Sequence, residues 1–164
     1  MFFTPEECKS IITLSKELGE SHSKTIFAEG SIDYFYTVLE RTNKTQWIFN
    51  RIKEFLNQDY PHNISDKMPC LYVHRFPTGC AFSKHRDDIK YPDQVLNVGC
   101  LLEDNFTGGE FVQYNPSDKI PKKVGKIYSM KASRPHEITK ITEGERWSFI
   151  LFYTNKELNK PTLL

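Results

Sequence analysis

No two of the four cysteines, Cys8, Cys70, Cys80 and Cys100, form a C-x-x-C pair. That spacing excludes zinc ribbons, thioredoxin-type redox motifs and the disulfide frameworks of small secreted domains. No apolar run approaches the roughly 18 residues that a membrane span requires. The opening "MFFTPEECKS" has no basic region followed by a long apolar stretch, so the expectation is a reduced, soluble, cytoplasmic protein without a leader. Charge of one sign is also missing: 22 lysines and arginines face 21 aspartates and glutamates, a net charge of +1. A chain so balanced has no field to attract a nucleic-acid backbone or an anionic membrane. Internal repeats, low-complexity segments and glycine-rich phosphate loops are absent as well. What remains is a chain of 164 residues, the size of one domain with a core of its own, spanning residues 1–164.

Aromatic residues make up 13% of the chain and cluster in runs such as "IDYFYTVL" and "RWSFILFYT", which suit half-buried strands. The first segment predicts a helix. In "TPEECKSIITLSKEL" Thr4 is placed as N-cap, Pro5 at the first helical position, Glu7 to complete a capping box, and Gly19 as the stop. A second helix is predicted over "NKTQWIFNRIKEFLNQ", capped by Asn43 or Thr45, with Trp47, Ile48, Ile52, Phe55 and Leu56 as its apolar stripe. From residue 69 to about 155 the pattern changes to short apolar or alternating runs separated by turn residues, with "TEGE" as the last turn. Helices followed by many strands, with no β-α alternation, predict a mainly β (α+β) domain, a sandwich, jelly roll or barrel with helices packed outside. The helical and outer-strand part is expected over about 1–68.

Chemistry concentrates in "FSKHRDDIKY", residues 82–91. On an extended strand His85 and Asp87 point to one side and Arg86 to the other, so the pair can share a metal. The kinase motif H-R-D is excluded, because the asparagine required five residues on is Pro92 and no D-F-G follows. A third ligand candidate is His136 in "KASRPHEITKI". Ten residues later Arg146 opens "RWSFILFY", where Arg146, Ser148, Ile150 and Phe152 share one strand face and Trp147, Phe149, Leu151 and Tyr153 the other. An arginine leading so apolar a strand needs an anionic partner. Two histidines and one carboxylate make an open facial triad suited to non-haem Fe(II) rather than a closed structural zinc site. An arginine across the pocket can grip a carboxylate bidentately. Open iron with a carboxylate anchor is what a 2-oxoglutarate cosubstrate requires.

At these residues the chain resembles the Fe(II)/2-oxoglutarate-dependent dioxygenase superfamily, in its prolyl 4-hydroxylase-like branch, over nearly its whole length. "RFPTGCAFSKHRD" is similar to the branch's segment ending in His-x-Asp, with Phe76, Gly79, Phe82, His85 and Asp87 in register. "LLEDNFTGGEFVQY" is similar to its acidic turn, glycine pair and following strand, and "GKIYSMKASRPHEITKITEGERWSFILFY" to its closing segment. The resemblance implies a double-stranded β-helix, a jelly-roll or cupin-like barrel. It also implies that His85, Asp87 and His136 bind Fe(II), that Arg146 binds the C5 carboxylate of 2-oxoglutarate, and that Ser148 adds a hydrogen bond. Many relatives place a tyrosine where Phe76 stands. Tyr72 and His74 share its strand face, and whether they contact the cosubstrate or serve the core stays open. Collagen-type members carry lysine in place of Arg146. His74, Phe76 and Arg134 are candidate substrate-lining residues, with Arg134 either exposed or at the pocket mouth. Gly108 and Gly109 read as turn glycines and Asp88 as a rim residue.

The implied reaction uses O2 and 2-oxoglutarate, with ascorbate as reductant, to hydroxylate a prolyl residue of a peptide or protein. The alternative substrate is a free amino acid or other small molecule. A nucleic-acid substrate is disfavoured, since repair enzymes of this type carry a second arginine where Phe152 stands. A non-catalytic binding module would be expected to have lost a ligand or the arginine, and all four are present.

Overall fold

The structure, a computed structural model, describes residues 2–27, 30–59 and 70–154. The expected division near residue 68 lies outside the described residues. Helix α1 (Pro5–Leu18) carries the predicted capping box: Glu7 N–H donates to the Thr4 hydroxyl, and the Glu7 carboxylate accepts from Thr4 N–H. It buries Cys8, Ile11, Ile12 and Ser15. Strands β1 (Ser21–Phe27) and β2 (Gly30–Leu39) form an antiparallel hairpin. Helix α2 (Gln46–Asp59) follows, with Ile48, Phe49, Ile52 and Leu56 fully buried. Thr45 stands before it without capping its first turn. Its hydroxyl accepts from Thr42 N–H and donates to the Glu40 carbonyl, closing the turn that precedes the helix.

The strands that follow are β3 (Leu71–Pro77), β4 (Ala81–His85), β5 (Gln94–Leu101), β6 (Phe106–Gly108), β7 (Phe111–Gln113), β8 (Asp118–Lys119), β9 (Ile127–Lys131), β10 (His136–Ile138) and β11 (Ile141–Thr154), with the single-turn α3 (Asp87–Lys90) after β4. They pair in the order β8-β7-β10-β4-β2-β3-β11-β5-β9, with β1 added to β2 and β6 to β11. All pairings are antiparallel. Strand β2 bridges the two halves: Phe35–Leu39 pair with β3, while Ile32 and Asp33 pair with β4. A larger sheet (β2-β3-β11-β5-β9) thus curls over a smaller one (β8-β7-β10-β4), giving the expected double-stranded β-helix.

The predicted turn "TEGE" is instead part of the longest strand. Residues 141–144 pair with β6 through a bulge, where Gly144 has φ 78° and lies so close to the Asn105 carbonyl that a Cβ would sit 2.4 Å from it. The bulge lets one strand serve two partners without breaking. Past it, Trp147, Phe149, Leu151 and Tyr153 join α1 and α2 in one buried cluster outside the large sheet. Phe76, Leu101, Phe111, Met130 and Ile138 form a second cluster inside the barrel. No helix among the described residues is long and apolar enough to cross a membrane.

Candidate active site

His85 ends β4 and His136 begins β10, and strand register places them directly opposite each other. Arg86 keeps the chain extended, with φ −126° and ψ 139°. Asp87 therefore comes back to the same side as His85, although it opens α3 rather than continuing the strand. His85, Asp87 and His136 each offer one ligand atom, and these atoms all lie within 4.8 Å of one another. Both imidazole Nε2 atoms are 3.4 Å from an Asp87 carboxylate oxygen. Cis ligands about 2.1 Å from an ion would be about 3 Å apart, so the three side chains fit a divalent metal.

The imidazoles are fixed from behind. His85 Nδ1 is 2.8 Å from the Ser83 carbonyl and His136 Nδ1 is 2.9 Å from the Arg134 carbonyl. A carbonyl only accepts, so each Nδ1 carries the proton and each Nε2 turns a lone pair inward. The Asp87 carboxylate accepts from Asn97 Nδ2, and the Asn97 carbonyl oxygen accepts from Gln94 Nε2 at 2.8 Å. Burial pushes the Asp87 carboxyl up, but its two histidine neighbours and the Asn97 amide outweigh it and hold it below its ordinary range. Burial, then the neighbouring His85, holds His136 below the usual imidazole range. The arrangement presents one anionic and two neutral donors to a common point.

Arg146 is 4% exposed and lies on the barrel face of β11, opposite Phe76. Its Nε donates to the Gly109 carbonyl at 3.1 Å and its Nη1 to the Ser148 hydroxyl at 2.6 Å. Gly109 is required there: its φ is 59°, and a Cβ would meet Ile141 Cδ1 at 2.3 Å. Among the described residues no carboxylate pairs with Arg146, and burial lowers its pKa. A buried guanidinium with fixed orientation and no carboxylate partner has the chemistry to receive an anion.

Spacing alone missed three contributors. Tyr128 of β9 lies across Gly99 so closely that a Cβ there would fall 2.3 Å from the phenol ring. Tyr128 lines the same cavity as Arg146, and burial keeps its phenol neutral, well above the ordinary range. Asn97 supports Asp87, and Tyr34 stacks on Phe76 with ring centroids 5.3 Å apart. A lone asparagine in the apolar run "VLNVGCLL" was the available signal for Asn97, since a buried amide must find partners.

The remaining candidates sit as follows. His74, 9% exposed, faces the barrel opposite Ser148 and is held down to about 3, first by burial and then by the charge of Arg146. Tyr72 touches Tyr36 and Phe152 by ring contacts, and its hydroxyl is raised to about 12, first by a hydrogen bond with Cys70 and then by burial. The Arg134 guanidinium is turned to the Tyr114 and Pro116 carbonyls. Asp88 pairs with Arg86 at 2.7 Å, away from the triad.

No protein-family model and no curated protein matches the chain. Solved structures do. A 2OG-Fe(II) oxygenase-family oxidoreductase from Burkholderia pseudomallei superposes with a TM-score of 0.78 at 20% identity, over 93% of this chain and 81% of that one. A Pseudomonas putida prolyl-4-hydroxylase gives 0.72 at 11%, over 93% and 88%. A Trichoplax adhaerens prolyl hydroxylase, solved with a peptide fragment of the hypoxia inducible factor oxygen degradation domain, gives 0.72 at 14%, over 90% and 76%. The class defined here is thus a fold, the double-stranded β-helix of the 2OG-Fe(II) oxygenases.

Proposed function

We propose that the chain is an Fe(II)- and 2-oxoglutarate-dependent hydroxylase acting on a prolyl residue of a peptide or protein. The observation that carries this reading is the pairing of an open His85–Asp87–His136 face with a buried Arg146, without a carboxylate partner among the described residues, on the wall of the same barrel. Fe(II) held by the triad, together with O2 and 2-oxoglutarate, would supply the oxidation of an unactivated C–H bond, and ascorbate would keep the metal reduced. The chain's own residues bind and orient. The triad leaves coordination positions open for a bidentate keto acid. Arg146, with Ser148 fixing its Nη1 and Tyr128 offering a neutral O–H nearby, holds the distal carboxylate.

Substrate preference draws support from the aromatic wall beside the triad. Tyr34, Tyr36, Tyr72 and Phe152 form a chain of ring contacts, and Phe82 stacks on His85 with centroids 4.1 Å apart. Ile89 and Tyr91, next to Asp87 in sequence, are 71% and 56% exposed, apolar surface offered at the rim. A pyrrolidine ring packs well on such faces, and two of the structural neighbours are prolyl hydroxylases. The test is mass spectrometry of peptides incubated with protein, Fe(II), 2-oxoglutarate and ascorbate. The expected result is a gain of one oxygen atom on proline-containing peptides that disappears when the proline is replaced. Oxygen gain only on free amino acids or on proline-free peptides would overturn the prolyl assignment.

A further inference from the structure

The aromatic wall beside the triad is uncovered at its outer end. Tyr36 and Val38 share one face of β2, and Val38 is exposed. From Tyr36 the wall runs through Tyr72 to Phe152 of β11, with successive ring centroids 6.4 and 5.6 Å apart. Ile89 and Tyr91, just past Asp87, add exposed apolar surface, and Tyr91 stands within electrostatic reach of Tyr34 and Tyr72. Strand β11 ends two residues beyond Phe152, at Thr154, which lies opposite Gln94. Gln94 is tied to Asp87 through the Asn97 amide. The chain therefore leaves the sheet at this wall, one strand spacing of about 5 Å and two side-chain hydrogen bonds from the triad.

Residues 155–164, "NKELNKPTLL", lie outside the described residues. They carry one proline, Pro161, seven residues past Thr154. Seven extended residues span about 23 Å, enough to cover the path from Thr154 back to the triad. Leu163 and Leu164 beside Pro161 are apolar, as are the uncovered wall and the surface at Ile89 and Tyr91. We infer that residues 155–164 are the occupant of this wall and that the site hydroxylates Pro161 of its own chain. This rests on reading the triad and Arg146 as the centre of a prolyl hydroxylase. A tether of this length makes the encounter intramolecular, so no affinity between separate molecules is required. One oxygen atom of O2 enters a Pro161 C–H bond as a hydroxyl, and the other enters 2-oxoglutarate, which loses CO2 and becomes succinate. The four electrons taken up by O2 come in pairs, from the prolyl C–H bond and from the 2-oxo acid.

The test is mass spectrometry of the full chain incubated under air with Fe(II), 2-oxoglutarate and ascorbate, at two protein concentrations about tenfold apart. Digestion and fragmentation are expected to place a gain of one oxygen atom on Pro161, with the same first-order rate constant at both concentrations. Pro161→Ala is expected to gain no oxygen in this segment while still hydroxylating an added proline-containing peptide. Hydroxylation of the added peptide with none on Pro161, or with a gain on Pro61 or Pro69 instead, overturns the inference and leaves the prolyl reading standing. So does a Pro161 rate constant that falls about tenfold on dilution, which marks an encounter between separate molecules. No oxygen gain on any proline, of the chain or of added peptides, overturns the prolyl reading and the inference with it.

Discussion

Each imidazole of the triad could serve the proposed metal only if Nε2 rather than Nδ1 turned to it, and the carbonyls of Ser83 and Arg134 make that choice. Asn97 does the equivalent for the carboxylate: its amide N–H binds one Asp87 oxygen, and Gln94 in turn fixes the Asn97 amide. Replacing such a support generally costs about 10–100-fold in metal affinity. Asn97→Ala is therefore expected to weaken Mn(II) or Fe(II) binding by about that factor while leaving the circular-dichroism spectrum unchanged; unaltered metal affinity would show that Asp87 needs no such support. His85, Asp87, His136 and Arg146 were legible as candidates because each sits in a short local pattern. Asn97 and Tyr128 were not, since they reach the site only through strand register, which no local spacing reports, and the part played by Gly109 is that of a backbone carbonyl in the β6–β7 connection, which a turn glycine does not announce.

Strands β5 and β9 show why register matters at the scale of elements. Gly99 lies opposite Tyr128, and the missing Cβ makes room for the phenol beside Arg146. Gly99→Ala must push that ring aside, an overpacking expected to cost about 1–3 kcal/mol in chemical denaturation. In a Tyr128→Ala background the same change should be nearly neutral. Equal costs in both backgrounds would show that the two residues do not share the space. Helix α1 was legible to its cap because capping is a local hydrogen-bond pattern. Thr45 was misplaced as a cap because a hydroxyl can bond backward as well as forward, and here the preceding turn takes it. "TEGE" carries every mark of a turn, yet pairing with β6 draws it into β11 as a bulge.

Across the whole molecule, β11 divides two cores, one between the large sheet and the helices and one inside the barrel. Buried ionisable groups stand beside the second, with His74 and His136 in ring contact with its Phe76 and Phe111, which ties stability to pH. His74 is buried and held down to about 3 from an ordinary 6.5, so it stays neutral in the fold where an unfolded chain would protonate it. His136 is lowered in the same sense by burial. The Asp87 carboxyl, also lowered, stabilises the fold in its ionised form and loses that contribution on acidification. In all three cases the unfolded chain binds more protons, so the stability of the metal-free protein falls as pH drops from about 6.5 toward about 3. Urea denaturation of His74→Phe across this range should give a shallower slope than wild type. An unchanged slope would remove His74 from the account. The fold class was legible at this scale from the order of helices and strands. The bridging of the two sheets by β2 was not, because one strand with two partners has no distinct sequence signature.

The most direct test of the central claim is succinate formation from 2-oxoglutarate under air, with Fe(II), ascorbate and a proline-containing peptide present. The account predicts succinate produced by the wild-type protein, lost in His85→Ala, and recovered in Arg146→Ala only at a much higher 2-oxoglutarate concentration. Succinate formation that persists in His85→Ala, or its absence in a wild-type protein shown to bind neither Fe(II) nor 2-oxoglutarate, would contradict it.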